Sequence, residues 1–297
     1  MDLTRGTFSI VAVDADAGEV GCAVQSKYFA VGSVVPWAKA GVGAVATQAA
    51  GVAVYGPRIL AQLEAGRSPQ EAIDEVLSGD DGRETRQLGV VDAAGETASW
   101  TGKECNAWAG SAAGAGFTAQ GNILAGEAVV TGMARAYEET RGSLAERLVS
   151  ALEAGQAAGG DVRGQQSAAV VVERIGASSR REGIDRVVDL RVDDHVEPIV
   201  ELRRLLGIQQ RWELILAAHA RYTEKDYAGG IAMLAEGLER WPDDAMLLYN
   251  LACFESLAGR REDAVAHALR SLELDGSLRL LAGTDSDLDP IRAELGL

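Results

Sequence analysis

The first 210 residues alternate short apolar runs with glycine-containing connections, a pattern typical of strands joined by tight turns. Residues 211–297 hold only 7 of the 35 glycines, so the character of the chain changes near residue 210. The pattern predicts strands over Thr7–Asp14, Glu19–Ser26, Val34–Gln48, Arg86–Asp92, Thr97–Thr101, Ser167–Arg174 and Arg186–Val192.

Two pairs of helical segments interrupt these strands. They are predicted over Tyr55–Gly66 and Pro69–Ser78, and over Gly126–Thr140 and Leu144–Ala157. The second helix of each pair opens with a capping box, Ser68 with Glu71 and Ser143 with Glu146. Helix pairs that alternate with antiparallel hairpins favour an α+β fold with stacked sheets between helical layers. We therefore expect a four-layer αββα sandwich.

The C-terminal region has a helical pattern and an internal repeat. Small or helix-ending residues recur 34 positions apart, in the pairs Ala218/Ala252, Gly230/Ala264, Gly237/Ser271 and Pro242/Gly276. This spacing resembles the tetratricopeptide (TPR) repeat, a helical hairpin that offers a groove to protein partners. The alternative is an ordinary set of helical hairpins with accidental spacing. We predict two domains, residues 1–207 and 208–297.

Composition and charge limit the classes of partner and cofactor that we expect. The chain is 47% hydrophobic and 24% charged, which is typical of a globular protein. Its net charge of −16 argues against nucleic acid, and no apolar run approaches a membrane span. No signal-peptide pattern or cysteine framework is present, so a cytoplasmic location is expected. Dinucleotide, phosphate-loop and metal-ligand motifs are also missing, so we expect no cofactor and no metal.

The start of the first predicted strand carries the most informative chemistry. Thr7 follows Gly6 and begins an apolar strand. If Thr7 were the first residue, its α-amine, with an ordinary pKa of about 7.7–8.0, could accept the hydroxyl proton and activate the hydroxyl as a nucleophile. Lys27, at the end of the returning strand, is the candidate cation that would keep the amine neutral. The alternative is a threonine that merely begins a strand.

A family resemblance bears on that choice. The strings TFSIVAVD, GCAVQSKYFAVG, PWAKAGVGAVATQA, GNILAG, AAGGDVRGQQSAAVVV and DLRVDDH resemble DUF1028, a bacterial family of unknown function placed among the N-terminal-nucleophile (Ntn) hydrolase-like folds. The resemblance covers residues 7–206. It implies an αββα fold, Thr7 in the nucleophile position, Ser26 and Lys27 beside it, and a homo-oligomer. Gln25 departs from the aspartate of proteasome-like enzymes, which places their charge network in question.

Other side chains are also candidates for the same site. Asn122 is predicted to donate to an oxyanion, although a turn-forming asparagine is the alternative. Asp161 and Arg163 are expected to orient a substrate carboxylate or, alternatively, to form a loop ion pair. The hydroxyls of Ser26 and Thr47 lie near strand ends and are candidate pocket residues.

Two functions follow from these observations. The first is an amidohydrolase that cleaves an amide bond of a small or peptide-like substrate through N-terminal Thr7. This function requires removal of a possible leader, residues 1–6; otherwise the start is misassigned or the amine is unavailable. The second is a catalytically silent Ntn-fold protein that binds a protein partner through its TPR-like repeats.

Overall fold

The computed structural model describes residues 6–177 and 185–297, so residues 1–5 of the possible leader lie outside the described residues. The chain divides into two compact units, Met1–Leu206 and Gly207–Leu297. The strands are β1 (Thr7–Asp14), β2 (Glu19–Ser26), β3 (Pro36–Lys39), β4 (Gly43–Ala49), β5 (Arg86–Asp92), β6 (Thr97–Thr101), β7 (Gly110–Gly114), β8 (Phe117–Asn122), β9 (Ser167–Arg174) and β10 (Arg186–Val192).

The helices include both predicted pairs. They are α1 (Tyr55–Glu64), α2 (Pro69–Leu77), α3 (Ala128–Glu139), α4 (Leu144–Ala157), α5 (Pro198–Thr223), α6 (Tyr227–Arg240), α7 (Ala245–Leu257), α8 (Arg261–Leu274), α9 (Leu278–Ala282) and α10 (Arg292–Leu295). Both predicted capping boxes form at the starts of α2 and α4. Among the described residues, no helix combines the length and apolarity that a membrane span requires.

All strand pairs are antiparallel and form two sheets. The six-stranded sheet has the order β10-β9-β2-β1-β8-β7, and the four-stranded sheet has the order β3-β4-β5-β6. Six of the seven predicted strands are confirmed with their bounds. The seventh, Val34–Gln48, is wrong as one strand, because the chain turns at Gly41 (φ +69°) and splits into β3 and β4. The small residues of β7 gave no apolar signal.

The layers of the first unit follow from three apolar clusters. The first cluster packs α1 and α2 on the four-stranded sheet, and the second lies between the two sheets. The third packs α3, α4 and the first residues of α5 on the outer face of the six-stranded sheet. Side chains alternate between faces along a strand, so in β1 the even-numbered Phe8 and Ile10 face the helices and the odd-numbered Thr7 and Ser9 face the second sheet. The mixed α/β prediction with a helical C-terminal region is confirmed.

The C-terminal unit consists of helices that contact one another through small residues. Six of the repeated positions are buried: Ala218, Ala252, Gly230, Ala264, Gly237 and Ser271. A Cβ at Gly230 would lie 2.2 Å from Phe254, and one at Gly237 would lie 2.2 Å from Leu214. A side chain at either position would therefore have to displace one of these neighbours.

Candidate active site

Thr7 lies at the end of a central strand and faces the second sheet. In the sheet register its neighbours are Ser26 on β2 and Asn122 on β8. The residue is only 5% exposed. The antiparallel pairing of β1 with both neighbours brings three residues from distant parts of the sequence to one end of the sheet.

The carbonyl oxygen of Gly6 is the centre of the polar contacts here. The Ser26 hydroxyl donates to it at 2.5 Å, and Arg163 Nη2 donates to it at 2.5 Å. Thr7 Oγ lies 2.6 Å from the same oxygen and 3.0 Å from Ser26 Oγ. A carbonyl that accepts from a hydroxyl and a guanidinium is strongly polarised, and a hydroxyl lies beside it.

Asp161 fixes Arg163 in this position. The two side chains form a bidentate ion pair, with Nε donating to Oδ1 at 2.9 Å and Nη2 to Oδ2 at 2.5 Å. The Asp161 carboxylate also accepts from the backbone N–H of Lys27 at 3.4 Å, and Asp161 bridges to Leu124 beyond β8. The structure thus brings both residues together as a buried ion pair that also contacts the Gly6–Thr7 peptide.

Gly6 fits this arrangement because it has no side chain. A Cβ there would lie 2.7 Å from Asp161 Oδ2 and 2.8 Å from Arg163 Nη2. Both distances are below the usual contact limit, so any larger residue must displace the ion pair. The glycine before Thr7 is therefore required by packing.

Lys27 lies away from this centre. The residue is exposed, and its ammonium donates to the carbonyl of Gln165 at 3.3 Å. The cation that contacts the Gly6 carbonyl is the guanidinium of Arg163. The activating role expected of Lys27 stays a prediction, and Arg163 is the better placed group.

Asn122 belongs to a buried amide network between the sheets, which comprises Ser9, Gln48, Gln87, Gln120 and Asn122. The Asn122 amide donates to Gln87 Oε1 at 2.9 Å, and Gln48 Nε2 donates to the same oxygen at 2.9 Å. Ser9 donates to Gln48 Oε1 at 2.6 Å and accepts from Gln120 Nε2 at 2.6 Å. Asn122 therefore contacts this network, and its oxyanion role stays a prediction.

The other four network residues were not predicted as site residues. Each occupies an inward position of its strand, and all are at most 2% exposed. A polar residue at such a position is unusual, because burial of an amide costs free energy unless it is hydrogen-bonded. A polar residue at an inward strand position is therefore the signal that could have identified these residues from the sequence.

Thr7 also borders a cavity of about 410 Å³. The other lining residues are Tyr28, Val31, Val34, Val35, Thr47, Gln48, Ala49, Gly51 and Ala53. The predicted pocket residue Thr47 is among them, but its hydroxyl donates to the carbonyl of Val52 at 3.3 Å. Ser167 holds the cavity wall, since its hydroxyl donates to the carbonyl of Tyr28 at 2.5 Å and accepts from Val31 N at 3.1 Å.

Backbone strain is concentrated around the same end of the sheet. Among the described residues, four that are not glycine have positive φ: Ala30, Ala49, Ile123 and Lys225. Ala30 precedes the short 3₁₀ helix at 31–33 that lines the cavity, Ala49 lines it directly, and Ile123 follows Asn122. Strain of this kind costs about 1–3 kcal/mol per residue and clusters at functional sites.

A smaller cavity of about 230 Å³ shares Ala49 with the first one and is lined by Arg86, Cys105 and Asn122, among others. Arg86 is paired with Asp80 at 2.9 Å and donates to the carbonyl of Ala50 at 2.5 Å. Burial raises the pKa of the Cys105 thiol, which disfavours the thiolate there. The second cavity therefore supplies hydrogen-bonding groups and no nucleophile of its own.

One group of potential metal ligands occurs among the described residues, Cys253 with Asp285 and Asp287. Asp285 accepts from the hydroxyl of Tyr249 at 2.8 Å, and Asp287 accepts from that of Tyr222 at 2.9 Å. Burial raises the pKa of the Cys253 thiol. These hydrogen bonds attach Asp285 and the 3₁₀ helix at 286–291 to α7 through Tyr249 and to α5 through Tyr222.

Two antiparallel sheets with helices define this chain as a protein of the mixed α/β class. A family model described as "Family of unknown function (DUF1028)" matches residues 7–202, so the chain belongs to this family. The crystal structure of protein SPO2555 from Silicibacter pomeroyi, of the same family, is 34% identical to it. The match has a TM-score of 0.62 and covers 68% of this chain and 84% of that one. The search of curated proteins found no match.

Proposed function

We propose that the chain is an Ntn-type amidohydrolase whose nucleophile is Thr7, made available by cleavage of the Gly6–Thr7 peptide bond. The arrangement at the Gly6 carbonyl carries this proposal: two donors polarise the carbonyl, and the Thr7 hydroxyl lies beside it. The order of layers, helices on both outer faces of two stacked sheets, supports the Ntn assignment.

Self-cleavage is the first step. The Thr7 hydroxyl oxygen adds to the carbonyl carbon of Gly6, and Ser26 and Arg163 stabilise the negative charge on the carbonyl oxygen. The C–N bond to Thr7 then breaks, and the hydroxyl proton is transferred to the departing nitrogen. Water hydrolyses the resulting ester between Gly6 and the Thr7 oxygen. The products are a carboxylate at Gly6 and a Thr7 with a free hydroxyl and a free α-amine.

Turnover uses the same groups. The α-amine accepts the hydroxyl proton while the oxygen attacks the amide carbonyl of a substrate, and the amine then returns the proton to the leaving group. After Gly6 departs, Ser26 and Arg163 can donate to the substrate carbonyl oxygen instead. The positive charge of Arg163 also favours the neutral amine. Water releases the acyl group from Thr7 and regenerates the enzyme.

The first test determines the N-terminus of the purified full-length protein by intact mass and N-terminal sequencing. We expect wild-type protein to begin at Thr7 and Thr7→Ala protein to keep every residue before position 7. Gly6→Ala should slow cleavage, because its Cβ displaces the Asp161–Arg163 pair. Arg163→Met and Ser26→Ala should each slow cleavage about 10²–10³-fold, the range for loss of one oxyanion donor.

Thr97→Ala is the matched control, because Thr97 also begins a strand but lies outside the site. It should cleave like wild type. A folded wild-type protein with the Gly6–Thr7 bond intact would overturn the proposal. So would a Thr7→Ala protein that hydrolyses acyl 4-nitroanilides as fast as wild type.

For the C-terminal unit we propose a short TPR-like array. The burial of the small residues that recur 34 positions apart supports this assignment. A groove on such an array can recruit a protein partner or a substrate. Deletion of α9 and the residues after it should then weaken partner capture without affecting cleavage at Thr7.

A further inference from the structure

We infer that the cavity beside Thr7 is an acyl pocket for an uncharged, apolar group of modest size, such as a short aliphatic chain or a single ring. This inference rests on the proposed function, because it concerns the acyl part of the amide that Thr7 would attack. Three features of the cavity carry it: the charge of its wall, the state of its polar groups and its size.

The wall carries no charge. None of the ten residues that line the cavity is acidic or basic, and Val31, Val34 and Val35 form an aliphatic side. Val31 and Val35 are buried in the cluster between the sheets, so that side is also rigid. A carboxylate or ammonium placed there would lose its hydration and gain no partner, which is unfavourable.

The polar side chains of Gln48 and Thr47 in the wall already have partners within the protein. The Gln48 amide donates to Gln87 Oε1 and to the carbonyl of Gln120, and its oxygen accepts from Ser9. The Thr47 hydroxyl donates to the carbonyl of Val52. Of the lining residues, Thr7 is buried and Tyr28 is half-exposed. The interior therefore offers mainly apolar contact.

The charged side chains near Thr7 are grouped around Gly6. Asp161 and Arg163 are paired there and do not line the cavity. They can position the reacting carbonyl, while the aliphatic wall selects the acyl chain. The volume of about 410 Å³ is at the lower end of the range for ligand sites, which favours a small group.

The experiment compares hydrolysis of two 4-nitroanilides of similar length by the full-length protein, the pentanoyl and the succinyl derivative. The pentanoyl compound ends in a methyl group and the succinyl compound in a carboxylate. We expect kcat/KM for pentanoyl to exceed that for succinyl at least 30-fold. Lengthening from acetyl to pentanoyl should raise kcat/KM about fourfold per methylene, until the cavity is filled.

A variant reverses the preference. Val34 lines the cavity and is partly exposed. Val34→Lys therefore places an ammonium at the wall and leaves the fully buried residues of the core unchanged. It should lower kcat/KM for pentanoyl and raise that for succinyl at least tenfold. Val54→Lys is the control, because Val54 is 46% exposed and lies outside the lining. It should leave both values unchanged.

Binding to the Thr7→Ala protein separates the two proposals. Ligand-observed NMR should show that pentanamide binds more tightly than succinamate and that Val34→Lys in this background reverses the order. Selective binding without hydrolysis by wild type would overturn the proposed function alone. Hydrolysis in which succinyl equals or exceeds pentanoyl would overturn the acyl pocket alone. If the protein shows no binding and no hydrolysis, both proposals are overturned.

Discussion

The interface between the two sheets has two halves of opposite character. One half is apolar and consists of Val11, Val20, Cys22, Val24, Ala44, Ala46, Val91, Ala169 and Val171, among others. The other is the amide network of Ser9, Gln48, Gln87, Gln120 and Asn122, next to Thr7. Both halves are almost fully buried. The same pair of sheets is thus held together by two different kinds of interaction.

The two halves differ in how strictly they fix the alignment of the two sheets. Apolar contact depends on area and tolerates changes of shape, whereas a buried amide is favourable only when its partners lie at one distance and angle. Gln48 joins Ser9 of the first sheet to Gln87 of the second, so the network fixes how the sheets align at the end that carries Thr7. The apolar half supplies stability, and the amide network fixes the geometry of the site.

The largest effect is expected from Gln48→Met. This substitution keeps the approximate shape of the side chain and removes every hydrogen bond of its amide group. Ser9 loses its acceptor and Gln87 loses a donor, so the free energy of unfolding should fall by about 3 kcal/mol. Urea unfolding measures this value. Val24→Ala in the apolar half should cost about 2 kcal/mol, and exposed Gln70→Met should cost less than about 0.5 kcal/mol. A loss at Gln48 no larger than that at Gln70 would contradict the role of the network.

The second prediction concerns the close approach of the sheets at Gly89. A Cβ there would lie 2.1 Å from Gln120 Oε1. Gly89→Ala should therefore lower the free energy of unfolding by about 2 kcal/mol through overpacking. In a Gln120→Ala background the same change should cost about 0.5 kcal/mol or less, because the opposing amide is gone. Equal costs in the two backgrounds would show that Gln120 does not limit this position.

The third prediction concerns hydrogen bonds that lie outside the amide network and hold the chain beside the cavity. Asp80 accepts from Arg86 at 2.9 Å and from the Tyr55 hydroxyl at 2.7 Å, and Arg86 in turn holds the carbonyl of Ala50 beside the cavity. The hydrogen bonds from Arg86, followed by that from Tyr55, hold the pKa of the Asp80 carboxyl well below its usual value. Asp80→Asn should lower the free energy of unfolding at pH 7 by about 1–2 kcal/mol.

The sign of its pH dependence follows from the lowered pKa. The contribution of Asp80 is fully present above the unfolded pKa of about 3.9 and is lost as the pH falls toward the lower pKa of the folded state. The gap in stability between wild type and Asp80→Asn should therefore narrow below pH 4. Exposed Asp74→Asn is the control and should show no such gap at pH 7. A gap for Asp80 that widens with acid would refute the assignment.

The smallest effect is expected from Gln25, which lies on β2 but on the face opposite Ser26. Its side chain is fully buried, and neither amide atom has a hydrogen-bond partner among the described residues. Gln25→Met should therefore leave the free energy of unfolding unchanged or raise it by up to about 1 kcal/mol. Cleavage at Thr7 should be unaffected. A loss above 1 kcal/mol would show that this amide is bound in the folded protein.

Gln25 also shows the limit of analogy along a sequence. Its position beside Ser26 matched that of an acidic residue in proteasome-like enzymes, but strand alternation turns it toward the helical layer. A site residue is defined by the face of its strand as well as by its distance along the chain. Lys27 is a similar case, since it contacts Gln165 rather than the Gly6–Thr7 peptide.

The sequence by itself determined the elements that depend on neighbouring residues. The strands from Thr7 to Asp14 and from Glu19 to Ser26 follow from runs of apolar residues, and both capping boxes follow from a serine and a glutamate three residues apart. The change in glycine content near residue 210 falls within α5, close to the boundary between the two units. Family resemblance placed Ser26 beside Thr7, and the side-chain chemistry of Asp161 and Arg163 in their loop made them candidates; each of the three contacts the Gly6–Thr7 peptide or its ion pair.

Only the tertiary structure decided which of these groups meet. Arg163 reaches the Gly6 carbonyl across 157 positions of sequence, and Gln48 joins Ser9 across 39. No local pattern specifies such pairs, because each polar side chain has several possible partners and the register of the sheets selects one. The cavity beside Thr7 arises in the same way, from segments that are apolar for different local reasons and become one wall when the sheets pack.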